Sequence, residues 1–381
     1  MSNADVSAAS LVRIIADAIA QQGGWVGFDH FMAQALYAPG LGYYANNLPK
    51  FGAMPGGLRT DGQLRGVGSD FVTAPELSPL FGLTLARQVA QILQATGTDE
   101  VWEFGAGTGA LAAQVLSALA DMGVAVRRYT IVDLSGSLQQ RQRETLARFG
   151  AQVHWATELP AKLRGVVLGN EVLDAMPVQL LARVQGQWYE RGVVLAPSDA
   201  AAPAFAWADR PTELRPPLDV DGAHDYLTEI HPQGEAFVRT LADKLELGAA
   251  LLLDYGFPEA EYYHPQRHMG TVMCHQGHRS DPDPLTGVGD KDITAHVNFT
   301  GVALAAQDAG LDVLGYTNQG HFLFNCGLAP LMEAVDLPRR AAAAKLVNEH
   351  EMGEIFKVLA IGRGVPQPLL GFAMGDRTHR L

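Results

Sequence analysis

A glycine-rich segment between an apolar run and a helical pattern is the part of the sequence best suited to chemistry. Val101–Phe104 has the pattern of a short buried strand, and Leu111–Leu119 has helical spacing. The residues between them include Gly105, Ala106, Gly107 and Gly109. Glycine permits a sharp turn from strand to helix and lets the backbone lie against a ligand, while the first helical N–H groups face an anionic group. The segment therefore predicts a site for a nucleotide-like cofactor.

The glycine spacing alone does not choose between two cofactor classes. Gly105, Gly107 and Ala110 also satisfy the G-x-G-x-x-G/A pattern of dinucleotide sites. Glu103 favours S-adenosylmethionine, because an acid can bind the ammonium group of its amino-acid portion but repels the diphosphate of a dinucleotide. The sequence thus favours S-adenosylmethionine, and an NAD-type oxidoreductase remains as the alternative.

A carboxylate suited to a ribose stands at the end of the next apolar run. Asp133 follows Tyr129–Val132 and can accept both ribose hydroxyls, and Leu134 beside it joins the predicted cofactor residues. The separation from Gly105 (133 − 105 = 28 residues) exceeds the roughly 20 residues of dinucleotide sites. The alternative is that Glu103 and Asp133 only cap a turn and a helix.

A second polar cluster follows the apolar run Gly165–Leu168. Asn170, Glu171 and Asp174 lie within the segment Gly169–Pro177. Ligands of open α/β sheets bind beyond the carboxyl ends of the strands, so these side chains are expected in the cofactor and substrate cleft. Two acids there predict recognition of a cationic group. The alternative is an N-cap with acids in the first helical turn.

Other chemistries have weaker support. The histidines between residues 264 and 278 match no common metal-ligand spacing, so we predict no metal site. Ser135 and Ser137 lack the G-x-S-x-G context of a hydrolase nucleophile. Cys274 and Cys326 have no C-x-x-C partner, which argues against a disulfide framework and fits a reducing compartment. We therefore expect a cytoplasmic protein.

The elements that position these residues alternate along the chain. Short apolar runs and helical stretches follow one another from Val101 to Asp254, as in βαβ units with a parallel sheet covered on both faces. Helical spacing predicts two helices, over 10–22 and 28–36, and a third from about Pro75 to Leu93. Residues 45–70 contain six glycines without a period and predict a long loop, either an active-site lid or a disordered surface loop.

The chain is predicted to divide into an N-terminal helical portion, 1–96, and a larger domain, 97–381. Two segments interrupt the alternating pattern of that domain. Residues 178–228 contain a predicted hairpin around Gly186, and residues 258–292 are polar and rich in His, Gly and Pro. Both are predicted to be insertions rather than independent domains.

Composition limits the classes of protein and partner. The chain has 381 residues, 48% hydrophobic and 18% charged, which is typical of a globular fold. Its formal charge of −13 leaves no broad cationic face for nucleic acid and favours basic or neutral partners. The sequence shows neither a secretory leader nor an apolar stretch of membrane-spanning length, so we expect no membrane span.

Several blocks together resemble the MidA-like class I methyltransferases, a family with a mitochondrial arginine methyltransferase that assists assembly of respiratory complex I. The blocks are Gly40–Tyr44, Asp70–Glu76, Glu103–Gly109, Asn170–Pro177, Asp254–Gly256, Asp292–Asn298 and Met352–Val358. The resemblance implies an α/β, class I (Rossmann-like), seven-stranded methyltransferase fold. It also implies an N-terminal helical extension and insertions on the substrate side of the sheet.

The resemblance further implies roles for the residues that match these blocks. Glu103, Gly105 and Gly107 would hold the amino-acid end of S-adenosyl-L-methionine, and Asp133 its ribose. The residues expected near the cleft from the N-terminal portion are Thr73, Pro75 and Glu76. Protein arginine is the methyl acceptor that the family implies.

An arginine acceptor would explain the acids chemically. A planar guanidinium can be held bidentately by Glu171, with Asp174 or Glu76 as a second contact, which makes these three the catalytic candidates. The partner would be a protein with a basic or arginine-bearing segment, such as a subunit of complex I. Two alternatives stay open: methylation of a small molecule, and a chaperone role in assembly that uses S-adenosylmethionine with little catalysis. The sequence gives no indication of oligomeric state.

Overall fold

A computed structural model describes most of the 381-residue chain. The described residues are 3–46, 73–133, 136–197, 203–277 and 279–381. The loop predicted over 45–70 lies outside them from residue 47 onward, and so does Leu134. None of the helices in the described stretches combines the length and hydropathy needed to cross a bilayer.

The described chain forms two compact units. The first, here called the sheet unit, contains the described residues from 73 to 173, Glu235–Gly256 and Phe299–Leu381. The second unit contains residues 3–46, the described residues from Asp174 to Gly234, and those from Phe257 to Asn298. Both predicted insertions thus fall in the second unit, and the described residues of 1–96 are shared between the two. The predicted domain boundaries stay a prediction.

Helices occur in both units. In chain order they are α1 (Asn3–Gln21), α2 (Phe28–Tyr37), α3 (Ala74–Leu77), α4 (Leu80–Thr96), α5 (Ala110–Asp121), α6 (Gly136–Leu146), α7 (Pro232–Lys244), α8 (Glu259–Tyr262), α9 (Phe299–Asp308), α10 (Gln319–Asn325), α11 (Leu328–Glu333) and α12 (Leu337–Val347).

Strands alternate with these helices. They are β1 (Val26–Gly27), β2 (Glu100–Phe104), β3 (Arg128–Val132), β4 (Val153–Ala156), β5 (Leu163–Asn170), β6 (Gln179–Val184), β7 (Gln187–Ala196), β8 (Ala204–Pro211), β9 (Tyr226–Ile230), β10 (Leu245–Phe257), β11 (Met273–Gln276), β12 (Arg279–Asp281), β13 (Asp292–Thr294), β14 (Val297–Asn298), β15 (Asp312–Asn318) and β16 (Phe356–Arg363).

Seven strands of the described sheet unit run in the order β15-β16-β10-β5-β2-β3-β4. The five strands from β10 to β4 are parallel, whereas β16 is antiparallel to both of its neighbours. The register pairs Phe104 with Val132 and with Gly169, and Leu253 with Asn170. The carboxyl ends of β2, β3, β5 and β10 therefore lie at one edge, and the predicted seven-stranded class I fold is confirmed.

The core of the sheet unit lies between the strands and α4 with α5. The predicted apolar face of α4 is buried and includes Phe81, Leu85, Val89 and Ile92. Fully buried strand residues complete this core: Val101, Ile131, Val166, Leu251 and Val358. Burial of each large apolar side chain contributes roughly 1.5–3 kcal/mol, so this layer holds the site-bearing loops in place.

The single helix predicted from about Pro75 to Leu93 is wrong in one respect, because the structure has two helices there. Ser78 is extended, with φ −152° and ψ 129°, and separates α3 from α4. Pro79 disfavours helical backbone at the residue before it, which explains the break. The Ser78 hydroxyl accepts a hydrogen bond from the N–H of Leu80, the first residue of α4, at 3.3 Å.

The second unit is built on antiparallel strands. Its larger sheet has the order β1-β7-β6-β9, with β8 also paired to β7, and its smaller sheet has the order β12-β11-β13. The predicted hairpin around Gly186 is confirmed: Gln185 and Gly186 both have positive φ, 50° and 80°, as a two-residue type I′ turn requires. Helices α1 and α2 contribute Leu11, Ile15 and Phe31 to the apolar core of this unit.

Candidate functional site

The glycine loop joins β2 to α5 at the carboxyl edge of the sheet. Gly105, Gly107 and Gly109 have φ values of 61°, 52° and 84°, in the left-handed region that favours glycine. A Cβ atom on Gly109 would lie 3.2 Å from Leu146 Cδ1, a tight contact that adds to the conformational preference for glycine there. The predicted strand, glycine turn and helix are confirmed, and the first N–H groups of α5 lie at this edge.

Glu103 lies in the interior of the sheet unit, immediately before the loop. It is 2% exposed, and its Oε2 accepts a hydrogen bond from the Tyr129 hydroxyl at 2.6 Å. Burial raises the pKa of Glu103 to about 7; the Tyr129 hydrogen bond lowers it, and the charge of Asp133 raises it. Glu103 is therefore a carboxyl group that an added cation can ionise near neutral pH.

Asp133 follows β3 and lies near the same loop. Its Oδ2 accepts a hydrogen bond from Gln142 Nε2 at 2.7 Å, and its carbonyl accepts one from Gln139 Nε2 at 3.2 Å. Gln142 Nε2 also donates to the carbonyl of Gly107 at 3.0 Å. The structure thus joins Asp133 and the glycine loop through one side chain of α6.

Helix α3 brings Pro75 and Glu76 to the glycine loop. The Thr108 hydroxyl donates a hydrogen bond to Glu76 Oε1, and Gln114 Nε2 of α5 donates to the Pro75 carbonyl at 2.8 Å. Thr73 precedes the helix, and its carbonyl accepts the Glu76 N–H at 3.0 Å. The three residues that the family implies near the cleft therefore lie in the sheet unit, with Glu76 held against the loop.

Asn170 and Glu171 end β5 at the same edge. Glu171 has φ +54°, uncommon for a residue other than glycine, and its N–H donates to the Leu253 carbonyl at 2.8 Å. Asn170 Nδ2 donates to Glu171 Oε1 at 2.9 Å. Asn170 Oδ1 is buried and finds no hydrogen-bond partner within the described stretches. A strained residue beside an unsatisfied buried acceptor is typical of a ligand site.

Asp254 supports this turn from β10. Its Oδ2 accepts the Leu173 N–H and its Oδ1 accepts the Tyr255 N–H, both at 2.9 Å. The side chain is 1% exposed. These contacts hold the backbone that follows Glu171, so Asp254 acts here as a support for the turn.

Asp174 belongs to the second unit, whereas Glu171 belongs to the sheet unit. Asp174 is buried, and its carbonyl accepts the Ala295 N–H at 2.9 Å. Nearby, the Tyr44 hydroxyl hydrogen-bonds both carboxylate oxygens of Asp292, at 2.8 and 2.9 Å. Burial raises the pKa of Tyr44 well above its ordinary value, and the charges of Asp292 and Asp174 raise it further. Within its own unit, Asp174 thus forms part of an acid and tyrosine cluster.

A family model for S-adenosyl-L-methionine-dependent methyltransferases matches residues 84–317. The chain belongs to this family. The resemblance of its sequence blocks to MidA-like methyltransferases is thereby confirmed, and S-adenosyl-L-methionine is the cofactor of the methyltransferase.

Individual relatives agree with the family. A Burkholderia thailandensis protein, solved bound to S-adenosyl-homocysteine, is 48% identical, with a TM-score of 0.91 over 100% of this chain and 99% of that chain. The protein arginine methyltransferase NDUFAF7, mitochondrial, of Danio rerio is 26% identical over 89% of this chain and 83% of its own. The Drosophila melanogaster homolog of that mitochondrial protein is 28% identical over 90% and 84%.

Sequence reasoning about the methyltransferase missed the residues that support its predicted site. Tyr129, Gln142, Thr108 and Gln114 each contact a predicted residue from another element. Val101 pairs with Tyr129, and alternate residues of a strand share a face, so Glu103 and Tyr129 lie on the same face of the sheet. Knowledge of this register would have identified Tyr129 as a neighbour of Glu103. The methyltransferase shows no cluster of three or more metal-ligating side chains in the part of the chain that the structure describes.

Proposed function

We propose that this chain is a protein arginine N-methyltransferase in which Asn170 and Glu171 hold the acceptor guanidinium. The observation that carries the proposal is a half-buried carboxylate, Glu171, next to the buried Asn170 Oδ1, an acceptor with no hydrogen-bond partner among the described residues. The relatives named as protein arginine methyltransferases support the same acceptor class.

The orientation of Asn170 favours a donor on the ligand. Its Nδ2 is committed to Glu171 Oε1 at 2.9 Å, so Oδ1 is the group presented to a ligand. A guanidinium offers only N–H donors, in a planar array that matches two neighbouring acceptors. A ligand with an acceptor at this point would leave Asn170 Oδ1 unsatisfied.

The same edge of the sheet suits the cofactor. S-adenosyl-L-methionine supplies a transferable methyl group when bound. Glu103 would pair with its ammonium group, the N–H groups at the start of α5 with its carboxylate, and Asp133 with its ribose hydroxyls. The positive φ values of Gly105 and Gly107 allow the backbone to lie against it.

The chain's own residues would then orient the acceptor and take its proton. The arginine pKa lies above about 12, so the nitrogen is not deprotonated before the reaction. Holding two N–H groups by Asn170 and Glu171 keeps the third nitrogen available and in position. The new C–N bond would replace the C–S bond of the sulfonium, which leaves S-adenosyl-homocysteine, and the N–H proton lost from the methylated guanidinium would pass to the Glu171 carboxylate and then to water.

The charge of the chain supports a protein acceptor. A formal charge of −13 attracts basic segments over distances limited by ionic screening. A subunit of respiratory complex I is the acceptor that the family resemblance suggests.

The test is transfer of labelled methyl groups to protein. The purified chain is incubated with methyl-labelled S-adenosyl-L-methionine and extract from a strain that lacks its gene, and labelled protein is hydrolysed to amino acids. We expect label in methylarginine of a discrete protein band, and a loss of at least about 100-fold with Glu171→Gln. Glu213→Gln, an acid whose side chain is fully exposed in the second unit, is the matched control and should keep full transfer.

Two results would contradict the proposal. Label confined to small molecules would show a small-molecule methyltransferase. Binding of S-adenosyl-L-methionine without transfer, together with a Glu171→Gln chain that still rescues the deletion strain, would indicate an assembly role instead.

A further inference from the structure

One fully buried glutamine side chain connects three segments of the sheet unit near the glycine loop. Gln142 of α6 donates from Nε2 to Asp133 Oδ2 at 2.7 Å and to the Gly107 carbonyl at 3.0 Å. Its Oε1 accepts a hydrogen bond from Trp155 Nε1 of β4 at 2.9 Å. Gln142 is 0% exposed, so water does not compete for these contacts.

The partners fix the orientation of the Gln142 amide. An indole N–H can only donate, so the atom facing Trp155 must be the amide oxygen. The amide nitrogen then faces two acceptors, a carboxylate and a carbonyl, and each of its hydrogens has one of them. The reversed amide would place oxygen against oxygen twice, a costly arrangement in the protein interior.

The backbone of α6 also packs against the loop. A Cβ atom on Gly109 would lie 3.4 Å from Gln142 Cα, within van der Waals contact. Arg143, the next residue, places its guanidinium 4.1 Å from the centre of the Trp155 ring. Helix α6, the glycine loop and β4 are thus packed together around the Gln142 side chain.

We propose that Gln142 is a positioning residue for the cofactor, which it serves by holding Asp133 and the Gly107 backbone in one fixed arrangement. The proposal rests on the cofactor-binding role proposed above for Asp133. Gln142 itself donates both amide hydrogens to protein acceptors, so it acts through Asp133 and the loop. Trp155 in turn fixes Gln142.

The test measures the dissociation constant for S-adenosyl-homocysteine by calorimetry. Gln142→Leu keeps most of the side-chain volume and removes both donors, and we expect its affinity to fall by roughly 10- to 100-fold, as for a hydrogen bond to a charged group. The KM for S-adenosyl-L-methionine should rise accordingly, with kcat at saturation changed by less than about threefold. Gln140→Leu, at an exposed position of the same helix, is the matched control and should bind normally.

A double-mutant cycle separates positioning from a general structural effect. In an Asp133→Ala background, Gln142→Leu should cost less than about threefold in affinity, because its main partner is gone. Additive losses would overturn the proposal. So would a folded Gln142→Leu chain that binds S-adenosyl-homocysteine within twofold of the unmodified protein.

A milder variant covers the case in which Gln142→Leu does not fold. Trp155→Phe keeps an aromatic ring but removes the N–H that orients Gln142, and we expect an affinity loss of about 3- to 10-fold. Unchanged affinity in Trp155→Phe, measured with a folded protein, would contradict the proposal. The affinity measurements use binding of S-adenosyl-homocysteine alone, so they are decisive even if arginine proves not to be the acceptor.

Discussion

The Tyr129 hydroxyl lies 2.6 Å from Glu103 Oε2 and donates a hydrogen bond to it inside the sheet unit. Both residues are buried, on neighbouring parallel strands β2 and β3. The pair places an acid with a raised pKa directly before the glycine loop. Glu103 therefore changes its protonation state near neutral pH, and a cation placed beside it would favour the ionised form.

Cofactor affinity should rise with pH. The pKa of Glu103 is raised to about 7, so its ionised fraction grows from about 10% at pH 6 to about 90% at pH 8. An ammonium group binds the ionised form, and affinity for S-adenosyl-homocysteine should increase about tenfold over this range. Calorimetry in buffers of different ionisation enthalpy should show proton release below pH 7. An affinity that is constant from pH 6 to pH 8 would contradict this.

Removing the Tyr129 hydroxyl should weaken binding without disturbing the core volume. In Tyr129→Phe the buried carboxylate loses a hydrogen bond that lowers its pKa, so the pKa of Glu103 rises further. We expect S-adenosyl-homocysteine to bind about 3- to 30-fold more weakly at pH 7, and the deficit to shrink at pH 9. Tyr189→Phe, on the exposed hydroxyl of Tyr189 in the second unit, should bind normally. A deficit independent of pH would argue against this explanation.

Neutralising Glu103 should stabilise the cofactor-free protein at high pH. Because its folded pKa is raised, the contribution of Glu103 to stability is present below its unfolded pKa and is lost as pH rises through about 7. Glu103→Gln removes this loss. The unfolding free energy of the variant minus that of the unmodified chain should therefore increase by about 2 to 3 kcal/mol from pH 5 to pH 8. Urea unfolding of both proteins at pH 5 and pH 8 measures this difference. A difference that is the same at the two pH values would refute the prediction.

Asp254→Asn should loosen the turn after Glu171. An amide retains one acceptor oxygen, so either the Leu173 N–H or the Tyr255 N–H is left facing an NH₂ group. We expect a loss of about 1–3 kcal/mol in stability and a larger relative loss in methyl transfer than in cofactor binding. Asp312→Asn, at an exposed position of β15, is the control. Equal losses in binding and transfer would show that the turn serves the cofactor instead of the acceptor.

Gly109→Ala tests the glycine loop, and Gly97→Ala, at the end of α4, is its control. Both residues have left-handed φ, 84° and 61°, so alanine at either should cost roughly 1–2 kcal/mol in stability. Only at Gly109 would the new methyl group meet a neighbour, Leu146 Cδ1 at 3.2 Å. We expect at least about tenfold weaker S-adenosyl-homocysteine binding for Gly109→Ala alone. Equal S-adenosyl-homocysteine affinity in the two variants would show that contact with Leu146 does not affect binding and that alanine acts at both positions through backbone strain alone.

Local patterns predicted the parts of the fold whose signals are local. The strand and glycine turn before α5 depend on neighbouring residues, and so does the hairpin around Gly186. Strand β8, Ala204–Pro211, lies in a stretch rich in Pro and Ala and had no such signal. It forms because β7 provides eight paired positions for it. Partners that are distant in the chain decide such strands.

The candidate site shows the same limit. Glu103, Asp133 and Asn170 could be placed at one edge because they follow apolar runs that become parallel strands. Gln142 could not, because its role depends on the side of α6 that faces Asp133 and on the indole of Trp155. The assignment of Asp174 to the second unit likewise follows from packing that spacing does not encode.

The position of β16 has a consequence for synthesis of the protein. This strand follows the other described strands in sequence, yet it lies between β10 and β15 in the sheet and pairs with both. Until residues 356–363 have left the ribosome, β10 and β15 each keep an open edge, which invites pairing with other nascent chains. A chain truncated just before β16 would therefore keep both strand edges open, and the nascent chain needs protection from such pairing until β16 has been made.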